Sequence, residues 1–135
     1  MKVQKGLSLI ELLIVIAVVG ILAGIAYPGY SEQVRKAART EVVGLLFESA
    51  QKLERHYSRA GQYADVDAVQ TPLANGTAHY SLHAVRDKES FTLLARRLPG
   101  GLMMADPCGD YALDQAGVRG NPQSSGDAGS GCWGG

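Results

Sequence analysis

Apolar residues crowd the front of the chain. From Leu7 to Tyr27 about twenty apolar or small residues follow one another with one charge among them, Glu11. That length crosses a bilayer core at roughly 1.5 Å per helical residue. Beyond Tyr27 the pattern becomes periodic: Val34, Ala38, Val42, Leu45, Leu46, Ser49, Leu53 and Tyr57 recur at three- and four-residue steps. Arg35, Lys36, Arg39, Glu41, Glu48, Lys52 and Glu54 fall mostly off that stripe. The spacing predicts an amphipathic helix packing one face on a domain, with Gly61 as its stop. A helix from Leu7 to about Arg59 would be roughly 80 Å long. Gly20, Gly24 and Pro28 are its weak points, at about 1 kcal/mol for each glycine and 3 for an internal proline.

After an irregular stretch from Ala60 to Thr77, the period drops to two. Residues 78–85 alternate with Tyr80 and Leu82 on one face, and residues 90–95 with Phe91 and Leu93, which predicts two strands joined by the polar loop Arg86-Asp87-Lys88-Glu89. Gly109–Asp114 reads as a short third strand, with a fourth near Val118. A few short strands are marginal alone, so the apolar stripe of the helix must cover one face of the sheet. The fold class is therefore α+β: a long helical stem packed by its C-terminal half against a small antiparallel head.

Composition sharpens this picture. The formal charge of zero over 135 residues names no partner, and nothing in it invites nucleic acid. Catalysis finds no support, since no Ser/His/Asp trio, metal cluster or phosphate loop occurs and no cofactor is implied. His79 and His83 lie about 13 Å apart at strand spacing, too far for one metal, and His56 reads as a packing or surface residue. The two cysteines, Cys108 and Cys132, form no CxxC pair. If joined, they would close a loop worth roughly 3.5 kcal/mol in the chain-entropy model, in a compartment outside the cytosol. Two free thiols are the other reading.

Lys2 and Lys5 precede the apolar run and keep the N-terminus cytoplasmic, with the remainder sent across the membrane. Three readings compete for this segment. A removed secretory signal would cut near Gly24-Ile25-Ala26, start the mature chain near Tyr27 and release a periplasmic binding domain. The run is long for that, and Glu11 hinders insertion by roughly 2.5–3.5 kcal/mol. A permanent signal anchor accepts the length but not the carboxylate. The third reading is a filament-forming stem cut at its front edge.

The stretch Lys5-Gly6-Leu7-Ser8-Leu9-Ile10-Glu11-Leu12-Leu13-Ile14-Val15 resembles the signal sequence of type IV pilins and pseudopilins. The resemblance implies cleavage between Gly6 and Leu7 by prepilin peptidase and methylation of the new Leu7 amine. Leu7 stands where the family usually has Phe. The physical logic agrees: the leader lysines pin the helix at the membrane face, and removing them frees it. If the helix runs from Leu7, the new amine lies one turn from Glu11. A charge pair at about 4 Å is attracted by roughly 4 kcal/mol at an effective dielectric of 20, close to the burial cost, which suits a registry device. By resemblance, Glu11 of an incoming subunit meets the N-terminal amine of a neighbour, and the stem unwinds between Gly20 and Pro28 on assembly.

The segment from Cys108 to Gly120, closing at Cys132-Trp133, is similar to the disulfide-bounded region of PilE-type minor pilins, which implies a Cys108–Cys132 bridge. The expected organisation is a leader at 1–6, a transmembrane and filament-core helix at 7–28, an amphipathic stem at 29–60 and a β head at 61–135. The implied role is that of a minor pilin of about 129 residues, supporting pilus assembly initiation, twitching motility and adhesion. Its partners would be other minor pilins and the major pilin, prepilin peptidase and the inner-membrane assembly machinery. The chain would sit in the inner membrane before assembly and in a surface pilus afterwards. A type II secretion pseudopilin would share the N-terminal features.

Overall fold

A computed structural model describes residues 3–125 and 131–134. It contains helix α1 (Leu9–Ala60) and strands β1 (Tyr80–Arg86), β2 (Phe91–Arg97), β3 (Tyr111–Asp114) and β4 (Arg119–Gly120). The chain divides into two compact units, residues 1–34 and 35–135.

In the first unit the apolar side chains have no protein around them: Leu9, Ile16, Ile21 and Ile25 are 61–76% exposed. Such a surface suits lipid or neighbouring helices rather than water. The helix starts at Leu9, two residues later than the sequence suggests, because Ser8 caps it: the Glu11 amide donates to Ser8 Oγ at 3.2 Å. The expected weak points do not break it. The chain remains helical through Gly20, Gly24 and Pro28. The residue whose carbonyl faces the proline ring, four positions earlier, is Gly24, which adds no side chain to that crowded turn.

In the second unit the four strands form an antiparallel meander in the order β1-β2-β3-β4. Register pairs Tyr80 with Arg97 and Arg86 with Phe91 in the first hairpin, and Leu93 with Leu113 in the next pair. One face is apolar: Tyr80, Phe91, Leu93, Ala95, Tyr111 and Leu113 are buried with Ala38, Val42, Leu46 and Leu53 of α1. The helix stripe differs from expectation at its end. Tyr57 is 39% exposed, and the buried position there is His56.

One core group is poorly served. The Tyr80 hydroxyl is buried and has no hydrogen-bond partner among the described residues, and burial raises the phenol's pKa far above its usual value. Tyr111, whose hydroxyl donates to the Cys132 carbonyl at 2.8 Å, is pushed up by burial to about 12. Tyr80→Phe removes an unsatisfied polar atom and keeps the ring, so it is expected to stabilise the protein by about 1 kcal/mol in urea unfolding. A loss of more than 1 kcal/mol would mean the hydroxyl has a partner. Wild-type stability should fall above about pH 10, because unfolded phenols then release protons that the buried ones keep. The variant should lose less there.

Candidate functional site: the capped helix start and the fastened head

The residues around the front edge form an exposed, non-helical lead into a capped helix. Val3–Leu7 are exposed, Gly6 has open space where a side chain would stand, and Leu7 is 76% exposed. An irregular, accessible backbone is what a peptidase needs. Glu11 follows in the first helical turn. There its charge complements the positive end of the helix dipole. The spacing Ser8-x-x-Glu11 is that of a capping box, of which the serine half is formed. Leu7 therefore lies just outside the helix in the uncut chain. The Ser8-x-x-Glu11 spacing is present in the sequence, and the structure shows that it sets the helix start.

The head is fastened at two places. At the first, Arg39 of α1 forms an ion pair and paired hydrogen bonds with Asp106, whose side chain has no exposure. Asp106 Oδ2 also accepts from the Cys108 amide at 3.3 Å, so the helix fixes the turn that carries the cysteine. Cys108 is bonded to Cys132, with Cα atoms 5.7 Å apart. Gly109 adopts φ +66°, and a Cβ there would stand 2.7 Å from the Pro122 carbonyl oxygen, so glycine is required at this corner. Asp110 accepts from both Arg97 N and Arg97 Nε at 3.0 Å.

At the second place, His56 ties the loop after α1 to the helix. Its Nε2–H donates to the Ala64 carbonyl at 2.9 Å, and its Nδ1 is hydrogen-bonded to the Thr71 hydroxyl at 2.8 Å. Arg86 completes the knot by donating to the Tyr63 and Thr71 carbonyls and to Asp65. The Asp65 carboxyl is held below the usual carboxylate range, first by the Thr71 amide and then by Arg86. Neither Arg39–Asp106 nor the His56 knot has a sequence signature, since the partners lie 67 and 15 positions apart. His83, by contrast, is exposed on β1 and bonds only to Ser81 among the described residues, at 3.0 Å.

A helix with a bare apolar front half and a rear half fastened to a four-stranded antiparallel sheet defines the pilin class of fold. Residues 1–27 match the model of the prokaryotic N-terminal methylation motif. Residues 28–112 match the model described as type IV minor pilin ComP, DNA uptake sequence receptor. A type IV pilin structure from Shewanella oneidensis is similar, at 38% identity and a TM-score of 0.51, covering 67% of this chain and 94% of that one. Fimbrial protein Q of Moraxella bovis is 56% identical over 46 residues, 34% of this chain and 29% of the relative. Type IV major pilin protein PilE1 of Neisseria gonorrhoeae is 39% identical over 62 residues, 46% of this chain and 38% of the relative. The chain thus spans about a third of the length of the curated relatives it matches.

The chain belongs to the type IV pilin family, which is non-enzymatic in general.

Proposed function

We propose that the chain is the precursor of a minor pilin. Prepilin peptidase cuts between Gly6 and Leu7, the Leu7 amine is methylated, and the apolar helix holds the subunit in the inner membrane with its head outside the cytoplasm. The assembly machinery then moves it into a type IV pilus, where Glu11 sets register against a neighbour's amine and the stem unwinds between Gly20 and Pro28. In the filament it joins other minor pilins to the major pilin and supports assembly initiation, twitching motility and adhesion.

The observation that carries this reading is the exposed, non-helical Gly6–Leu7 link placed directly before a capped helix with a wholly exposed apolar surface. Mass spectrometry of the mature protein tests it. The expected N-terminus is N-methylated Leu7; a start near Tyr27 would replace this reading with a released periplasmic domain.

A second role has its own support in the match of residues 28–112 to a family described as a DNA uptake sequence receptor. On that ground DNA joins the partners, although the neutral net charge offers no hint of it. Retardation of labelled DNA by the full chain in detergent, against a competitor of scrambled sequence, tests this role.

A further inference from the structure

The segment after the disulfide leaves a cleft of about 410 Å³ against α1, within the range of small-molecule sites. Lys36, Thr40 and Val43 line its helix wall, and Cys132 and Trp133 line the opposite one. Lys36 and Thr40 are exposed and one turn apart. Lys36 makes no ion pair with any described residue. Arg39 also reaches the cleft, with its charge committed to Asp106. No described lining residue is acidic.

Trp133 is held rigidly. Its Nε1–H donates to Asn121 Oδ1 at 2.8 Å, and its ring meets Tyr111 and Phe47 edge-on, with centroids 5.1 and 6.1 Å away. The Arg119 guanidinium lies 5.7 Å from the Trp133 ring centre and 5.2 Å from that of Phe47. An anchored indole beside an uncommitted ammonium is the pairing that takes a planar ring carrying a phosphate: the ring stacks and the cation holds the anion.

We infer that this cleft binds a nucleotide unit, with its base against Trp133 and its phosphate at Lys36, either as a free nucleotide or as one unit of a DNA strand. The DNA source rests on the second role proposed above; the ring-and-phosphate chemistry of the cleft does not.

Trp133 is the chain's one tryptophan, so its fluorescence reports on the cleft directly. The full chain in detergent is titrated with deoxyadenosine monophosphate, a single-stranded 12-mer and the matching duplex, with gel retardation in parallel. Saturable quenching by the strand is expected. Lys36→Ala should weaken binding about fivefold or more and flatten the slope of log K against log salt by about 0.7 for a single strand. DNA retarded without quenching and without sensitivity to Lys36→Ala would overturn the cleft assignment and leave the DNA role standing. Quenching by the mononucleotide with no DNA retardation would support the nucleotide cleft and overturn the DNA role. Neither quenching nor retardation would overturn both.

Discussion

Glu11→Gln is expected to leave cleavage at Gly6 and methylation of Leu7 near normal, while lowering the subunit's abundance in sheared pili tenfold or more. Glutamine also serves at the third position of a capping box, so the substitution removes the charge and leaves the helix start in place. In the uncut chain the carboxylate stands in the first helical turn, where the helix dipole favours a negative charge. Inside an apolar filament that support is too small: a dipole contact contributes about 0.3–1 kcal/mol, against a burial cost of several. In the registry mechanism proposed above, the new amine of a neighbour would supply the missing counter-charge. Tenfold corresponds to about 1.4 kcal/mol, a modest part of the roughly 4 kcal/mol attraction. Immunoblots of sheared pili and membranes, normalised to total subunit, give the ratio. Normal incorporation of Glu11→Gln would end the charge-registry mechanism.

The second large effect is expected in the head. Asp106→Ala should destabilise the protein by about 3 kcal/mol, because it takes the bidentate Asp106 carboxylate away from a largely enclosed Arg39 and strips an acceptor from the Cys108 amide. Arg39 is 17% exposed at its side chain, which lets water soften the loss and places it at the low end of the range for broken buried pairs. Against a total of about 5–15 kcal/mol for a domain, that is a large share. Urea unfolding of the full chain in detergent, followed by Trp133 emission, measures it. The double variant Arg39→Met/Asp106→Leu removes both charges and should recover more than half of the loss. A loss under 1 kcal/mol for Asp106→Ala would show that the pair is ornamental.

Local periodicity explains which parts of this molecule could be read in advance. The stem stripe was legible because Ala38, Val42, Leu46, Ser49 and Leu53 repeat on one helical face, and all five are buried. The strands were legible because Tyr80 and Leu82, and Phe91 and Leu93, recur at two-residue spacing, and Tyr80, Phe91 and Leu93 turn toward the core. His56 escaped because a polar ring beside an aromatic gives the wrong ranking: Tyr57 is the greasier residue, but only His56 has two ring nitrogens to satisfy a loop hydroxyl and a carbonyl. Arg39 and Asp106 escaped because their pairing depends on the helix and the β2–β3 connection meeting in space, which no local pattern records. At the front edge the motif points to Gly6, Leu7 and Glu11 as the proposed cleavage and registry residues. The true helix start needed the competition between Ser8 and the preceding backbone, and Ser8 won by capping.

The meander has a kinetic consequence. Each strand pairs with the one before it in the chain, so the sheet can grow by successive short closures, each costing little loop entropy. Seating that sheet on α1 is different, since Arg39 must find a partner 67 residues away. Docking of the helix is therefore expected to be the slower closure in the folding of the head, with the sheet forming ahead of it.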